Sequence, residues 1–185
     1  MSPEDQQALL ELARGTMVGS LGDRPPPEHP IHFKTAPPYG GLFVSLHRGR
    51  VLRGCIGTFS PRENLEDTVR AMSVSVLRDP RFVSNPVSLD ELPSLEIEIS
   101  ILSIPVPTNE PMSLERGRHG VIVEKDGQSG CFLPQVAVQL GWSVERLLEE
   151  CCVQKAQLAR GAWREPGARV LLFTAESFSE CTVTP

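Results

Sequence analysis

The sequence predicts an α+β fold, in which a mainly antiparallel sheet is flanked by helices. Apolar residues alternate with polar ones in several segments, as expected for strands with two different faces. Two pairs of these segments are separated only by short turns, which favours hairpins. Helical patterns occur between the pairs at irregular intervals, whereas a parallel α/β fold would alternate strands and helices regularly.

The length fits a single domain over residues 1–185, or two small lobes sharing one chain, with a proline-rich connection at 23–38. Hydrophobic residues make up 40% of the chain and charged residues 22%, which is enough apolar material for a core. The net charge of −5 argues against a nucleic-acid-binding protein, because neutralising phosphates needs an excess of lysine and arginine. No segment is long and apolar enough for a membrane helix, and no signal peptide is visible.

The five cysteines include no Cys-x-x-Cys pair and are odd in number, so we predict free thiols in a reducing cytoplasm. His29 and His32 are two metal ligands without a third, and no metal site is predicted. The sequence also has no nucleotide-binding motif, and we expect no cofactor.

The first helix is predicted to begin at Ser2, which can cap it, and to end at Gly19 or Gly22. Alternation from Gly41 predicts a strand, followed by a turn at 47–50 and a second strand at 51–58. The next helix is predicted to begin at Ser60, within a capping box at 60–63, and to end before Pro80.

The clearest strand is predicted at 95–102, with one apolar and one polar face. A hairpin is predicted around Asp126-Gly127, between apolar runs at 121–123 and 131–133. A short helix from Pro134, a longer one capped by Ser143 and a buried strand at 168–174 complete the predicted fold.

Cys55 is the leading candidate for a catalytic residue. In an extended strand it shares a face with Arg53 and Gly57, and a nearby cation favours a reactive thiolate over the thiol. Gly54 and Gly57 have no side chain, so another segment or a ligand can come close. The same residues also fit a packed cysteine in a strand with a bulge, and that alternative stays open.

His119 is the second catalytic candidate, because it stands at the predicted start of a strand. There it could act as a general base or donate a hydrogen bond to a ligand. An exposed loop residue is the alternative.

The hexapeptide Leu52-Arg53-Gly54-Cys55-Ile56-Gly57 resembles the signature of the AMMECR domain family. Six further blocks agree with that family in order, at 43–46, 79–82, 95–102, 119–121, 133–136 and 141–142. Within that family the chain resembles the bacterial form, system protein A of the AmmeMemoRadiSam system. Gln154 to Leu158 departs from the family's usual Lys-Ala-Gly-Leu ending, so we expect this helix to end differently, and Ser73 and Ser75 replace alanines.

The resemblance implies two unequal lobes with a cleft between them near the hexapeptide. It implies Cys55 and His119 as catalytic residues, and it implies a ligand-binding role for Arg53, Gly54, Gly57 and Arg81. As partners it implies a radical S-adenosylmethionine enzyme, a Memo-like protein, and a small-molecule or peptide ligand.

The function expected from this resemblance is that of an enzyme or enzyme component, acting through Cys55 in a small-molecule or peptide modification pathway. A non-catalytic module that binds or delivers a ligand, and a protein-interaction scaffold, are the alternatives. The sequence determines neither the substrate nor the oligomeric state.

Overall fold

A computed structural model describes residues 1–22, 38–59, 61 and 64–181. Its helices are α1 Pro3–Leu21, α2 Leu65–Val76, α3 Gln135–Gln139 and α4 Val144–Glu150. Its strands are β1 Gly41–Arg48, β2 Val51–Thr58, β3 Glu96–Leu102, β4 Val106–Thr108, β5 His119–Lys125, β6 Gln128–Phe132 and β7 Arg169–Ser179. The pairs β1–β2, β4–β7, β5–β6 and β5–β7 are antiparallel, which confirms the predicted α+β class.

The described chain divides into two compact units. The first unit is formed by Met1–Ile101 and Glu176–Pro185, and the second unit by Leu102–Ala175. The prediction of a single domain over residues 1–185 stays a prediction. No helix within the described ranges is long and apolar enough to cross a lipid bilayer.

In the first unit, strands follow the order β2-β1-β3 and then the last part of β7. Helices α1 and α2 pack together, and α2 also contacts β1 and β2. The apolar residues predicted in α1 and in the alternating strands form this core, among them Leu9, Met17, Val44 and Ile99, all 0% exposed. Strand β2 is therefore an edge strand of the sheet, with the helices on one face.

In the second unit, β5 pairs with β6 and with the first part of β7, and β4 pairs with β7 on its other side. The turn between β5 and β6 contains Asp126 and Gly127, both with positive φ, as the predicted two-residue hairpin requires. Helix α4 begins after its predicted cap Ser143 and continues into a π-helical turn at Cys151–Lys155. Its buried side includes Leu147, Leu148 and Cys151.

The predicted start of the second helix is wrong. Asn64 has an extended backbone and caps α2 by accepting a hydrogen bond from the N–H of Asp67, so the helix begins at Leu65 rather than at Ser60. The capping box from Ser60 to Glu63 and the asparagine cap at Asn64 are both good signals for a helix start. The sequence pattern alone does not show which of the two begins the helix. Ser60 and Glu63 lie outside the described residues.

Other predicted boundaries shift less. Gly22, not Gly19, follows the last residue of α1, and β7 extends past Thr174 to Ser179. Most of the proline-rich connection, at 23–37, lies outside the described residues, as do His29 and His32.

Candidate functional site

The backbone of Cys55 is held by side chains from outside the sheet. Cys55 pairs with Ser45 across β1 and β2. Its N–H donates to Asp79 Oδ2 at 2.9 Å, and its carbonyl oxygen accepts from Arg81 Nη2 at 2.8 Å. These peptide groups therefore point away from β1, at the sheet edge, where a strand otherwise leaves them unpaired.

Asp79 is the centre of this arrangement. Its side chain is 0% exposed, and it accepts from Arg81 Nε at 3.0 Å and from Arg81 Nη2 at 2.6 Å. Burial alone would raise the pKa of Asp79, but the hydrogen bonds from Arg81 and Cys55 and the positive charge of Arg81 lower that pKa to about 2. Asp79 is thus a permanent carboxylate that joins β2 to the segment after α2.

The local sequence explains why Asp79 and Arg81 meet. Pro80 begins a 3₁₀ turn at Pro80–Phe82, and Asp79 caps this turn by accepting from the N–H of Arg81 at 3.0 Å. The turn brings the Arg81 side chain back over the aspartate. A fork of two N–H groups then meets the two carboxylate oxygens.

Arg53 is also fixed by a carboxylate. Its Nε and Nη2 donate to the two oxygens of Glu91 at 2.7 and 3.0 Å, and Nη2 also donates to the carbonyl of Asn85 at 2.6 Å. The hydrogen bond from Arg53 is the main reason that the pKa of Glu91 is lowered, and Arg48 adds a second positive charge at 2.8 Å. The Arg53 side chain is only 11% exposed.

A β-bulge changes the predicted relation between Arg53 and Cys55. The register of β1 and β2 shifts after the Leu46–Gly54 pair, because β2 has Arg53 as one extra residue. The strict alternation that would place Arg53 and Cys55 on one face is interrupted there. The guanidinium that interacts with the Cys55 side chain belongs to Arg81, whose pKa is raised first by its hydrogen bond to Asp79 and further by Cys55.

Phe82 connects the two arginines. The guanidinium carbon of Arg53 lies 5.5 Å from the centre of its ring, and that of Arg81 lies 5.8 Å from it. Both distances are within the range of cation–π attraction. The Arg81 side chain remains 55% exposed, so one of the two cations near Cys55 is open to solvent.

The two glycines of the hexapeptide are close to other parts of the chain. A Cβ atom at Gly57 would lie 2.2 Å from the ring of Phe43, and one at Gly54 would lie 3.1 Å from Val76 Cγ2 at the end of α2. The predicted close approach therefore occurs at both glycines, and protein side chains occupy the space. A ligand-binding role for Gly54 and Gly57 stays a prediction.

The structure brings Arg53, Cys55 and Arg81 together in the first unit, whereas His119 belongs to the second unit. His119 is half-buried at the start of β5, and its Nδ1 accepts from the N–H of Glu115 at 3.1 Å. This hydrogen bond leaves Nε2 as the ring nitrogen available to a ligand.

Sequence reasoning missed Asp79 and Glu91 as parts of the site. Asp79 was predicted only to stand at the end of a helix, although it lies two positions before Arg81 in one of the matching blocks. A carboxylate that close to an arginine across a proline was a usable signal. No such signal marks Glu91, because tertiary folding alone brings it to Arg53.

Comparisons with known proteins agree with this picture. A family model described as AMMECR1 matches residues 10–178. Protein PH0010 from Pyrococcus horikoshii is 42% identical over 151 residues, which cover 76% of this chain and 72% of that protein. Protein Mbar_A1807 from Methanosarcina barkeri is 36% identical over 184 residues, which cover 94% of this chain and 89% of that protein.

A solved structure shows the same fold. The crystal structure of the uncharacterized protein PH0010 matches with a TM-score of 0.85 at 36% identity, covering 97% of this chain and 93% of that one. Both the family model and the relatives span most of the chain, including the hexapeptide and the Asp79–Arg81 turn. The chain belongs to the AMMECR1 family.

Proposed function

We propose that this protein is an enzyme or enzyme component that uses Cys55 as a nucleophile in a small-molecule or peptide modification pathway. One observation supports this most: the Cys55 backbone is clamped by the Asp79–Arg81 pair, while its side chain is half-buried beside the open guanidinium of Arg81. A nucleophile needs a fixed position and access to solvent, and a neighbouring cation stabilises its thiolate.

Another cysteine shows what a purely packed thiol looks like in this chain. Cys151 is 0% exposed, and its thiol donates to the carbonyl of Gly130 at 3.3 Å. Burial is the main reason that the pKa of Cys151 is raised strongly, which keeps it protonated and inert. Cys55 differs in its exposure and in having an arginine as its neighbour.

The pathway is inferred from the resemblance to bacterial members of the family. We infer that a radical S-adenosylmethionine enzyme and a Memo-like protein act with this chain on the same small molecule or peptide. We also infer a cytoplasmic location, since the five cysteines are all free, as expected in a reducing compartment.

Alkylation of Cys55 by iodoacetamide tests the proposal. Cys131 and Cys181, the other cysteines that are not buried, are first replaced by serine. At about pH 7, below the pKa of about 8.5 of a free thiol, Cys55 should react at least about tenfold faster than free cysteine. Peptide mass spectrometry at several times gives the rate.

Arginine variants test whether Arg81 activates the Cys55 thiol or whether the thiol reacts only because it is exposed to solvent. Arg81→Gln should slow alkylation several-fold, whereas Arg81→Lys keeps the charge and should slow it less. Arg78→Gln is the matched control, because Arg78 is exposed, lies in the same segment and loses the same charge. If Cys55 reacts like free cysteine, and if Arg81→Gln has no more effect than Arg78→Gln, the nucleophile proposal is wrong.

A binding or delivery module is the second candidate, and the arginines favour it. In the described part of the chain, Nη1 of Arg53 donates no hydrogen bond, although Nε and Nη2 of the same group are fixed, and the Arg81 side chain is 55% exposed. Donors held in this way suit an oxyanion or a carbonyl group.

Native mass spectrometry of the purified protein identifies any retained small molecule. The delivery function predicts that Cys55→Ser keeps it and Arg53→Ala loses it, whereas equal losses would contradict this function.

A further inference from the structure

The sheet of the first unit has a polar face opposite its helices. The core residues Leu46 and Ile97 point toward the helices, so their strand neighbours point the other way. The polar face is defined here by five residues: Ser45, His47, Cys55, Glu96 and Glu98. It carries a thiol, an imidazole and two carboxylates on three adjacent strands, β2, β1 and β3.

His47 is an unsatisfied group on this face. Its Nε2 is buried and has no hydrogen-bond partner among the described residues. A buried ring nitrogen without a partner costs free energy, and such atoms are rare in folded proteins. His47 was predicted to belong to a turn at 47–50. In the structure it lies inside β1, with its ring on the polar face.

Glu98 also lies on the polar face. It is half-buried, and none of the described residues gives it a hydrogen bond. Burial raises the pKa of Glu98, while the nearby imidazole of His47 opposes this rise. Glu96 differs, because a hydrogen bond from Ser179 is the main reason that its pKa is lowered, and Cys181 contributes a further bond.

Strand geometry makes His47 a diagonal neighbour of Cys55 on the polar face. Ser45 lies directly opposite Cys55, at about 4.5–5.5 Å between Cα atoms of paired residues. His47 follows Ser45 by two positions on the same face, at about 6.7 Å along the strand. The Cα atoms of His47 and Cys55 are therefore roughly 8 Å apart, the separation of diagonal neighbours on one sheet face. Nε2 of His47 makes no hydrogen bond to the Cys55 thiol in the structure, so the proton transfer proposed below requires the two side chains to rotate toward each other.

We propose that His47 accepts the thiol proton of Cys55 and that Glu98 positions the resulting imidazolium. This inference rests on the proposed function and names the base for its nucleophile. The proton moves from Sγ to Nε2, and a thiolate–imidazolium pair forms. The sulfur lone pair then makes a bond to an electrophilic carbon as the leaving group departs with its electrons, and the imidazolium later releases the proton to water.

The charges around His47 suit this role. Glu96 and Glu98 face it from β3, and both interact favourably with a positive imidazole. Leu52 is its apolar neighbour on β2, and the guanidinium of the adjacent Arg48 is turned to Glu91. The thiol of Cys181 contacts Glu96. Catalytic triads have the same order, in which the histidine lies between a carboxylate and the nucleophile.

The test is the pH dependence of iodoacetamide alkylation, in the protein with Cys131 and Cys181 replaced by serine. In each reaction the sulfur–carbon bond forms and iodide leaves, so the rate reports the thiolate fraction. His47→Gln should lower the rate at about pH 7 by about tenfold or more. At about pH 9.5, where ordinary thiols ionise without help, the rates should agree within about twofold.

Glu98→Gln should produce a smaller loss at about pH 7 in the same direction, because the imidazolium loses its carboxylate. Glu124→Gln, on β5 in the second unit, removes the same charge and is the control. Circular dichroism at each pH confirms that every variant is folded.

Three outcomes would overturn the inference. An unchanged profile in His47→Gln, with a wild-type thiol that is still activated, removes His47 and leaves the nucleophile proposal intact. A loss in His119→Gln but not in His47→Gln assigns the base to His119. A wild-type Cys55 that reacts like free cysteine at every pH contradicts both the inference and the proposed function.

Discussion

At the scale of single residues, Asp79 accounts for more of the contacts in the candidate site than Cys55, the leading catalytic candidate from the sequence. One buried carboxylate binds the N–H of Cys55, caps the turn that follows and holds the guanidinium of Arg81. Cys55 and Arg81 were predicted from the sequence, because a thiol and a cation have recognisable chemistry. Their connection through Asp79 depends on the path of the chain after α2, and no local pattern contains that path.

We expect Asp79→Asn to lower the free energy of unfolding by about 2 kcal/mol at pH 7, since the folded pKa of Asp79 is about 2 against an ordinary value of 3.8. The folded pKa is depressed, so this contribution is present above about pH 4 and is lost as the pH falls toward 2. Urea unfolding at several pH values measures it. Asp90→Asn, at an exposed aspartate, is the control and should change stability little. A difference between wild type and Asp79→Asn that persists at pH 2 would contradict this explanation.

Ser73 is a residue whose replacement should stabilise the protein. It is 0% exposed in α2, and its hydroxyl has no partner in the described part of the chain. Ser73→Ala removes a buried unsatisfied group and adds helix propensity, for a gain of about 1 kcal/mol. Ser75→Ala is the comparison, because the Ser75 hydroxyl is exposed and bonds the carbonyl of Ala71 at 2.8 Å. Equal urea midpoints for wild type and Ser73→Ala would show that the hydroxyl is satisfied in solution.

At the scale of elements, local signals predicted most helices and strands, and they failed where two signals competed. Periodicity identified α1, β1, β2, β3 and the β5–β6 hairpin. The start of α2 was misplaced because Ser60 and Asn64 are both good caps, and only packing of Leu65 in the core decides between them. The alternation of apolar and polar residues could not predict the bulge at Arg53 either, since the bulge arises from pairing with β1.

The end of the π-helical turn after α4 carries a strained residue. Gln157 has a φ of 57° while the N–H of Leu158 bonds the carbonyl of Cys152 at 2.8 Å, which is the helix ending that glycine favours. Gln157 stands at the glycine position of the Lys-Ala-Gly-Leu ending, and the different helix ending expected from the sequence stays a prediction. Gln157→Gly should raise the free energy of unfolding by about 0.5–1 kcal/mol, because glycine adopts this conformation without strain.

Gln154→Gly is the matched control for that substitution. Gln154 lies inside the π-helical turn and donates to Glu150 at 2.5 Å, so glycine there should lower stability. Thermal and urea unfolding of both variants give the comparison. Loss of stability in Gln157→Gly as well would mean that the left-handed conformation is not the source of strain.

At the scale of the whole molecule, the free cysteines allow a simple test. All five are free, and Cys151 and Cys152 pack in the core of the second unit. We therefore expect the same melting temperature with and without a reducing agent, because no disulfide constrains the unfolded chain. Differential scanning calorimetry measures this. A lower melting temperature under reducing conditions would reveal a disulfide in the native protein and would count against the cytoplasmic inference.

By itself, the sequence determined the α+β class, most elements and the position of the hexapeptide, because each of these depends on residues that are close along the chain. Tertiary structure alone decided which charges surround Cys55: Arg53 pairs with Glu91, the turn that contains Asp79 and Arg81 binds the Cys55 backbone, and His47 lies on the same sheet face. Those contacts join segments far apart in sequence, and a carboxylate pairs with whichever cation the fold brings near it. The spacing of residues along the chain therefore does not predict these long-range contacts.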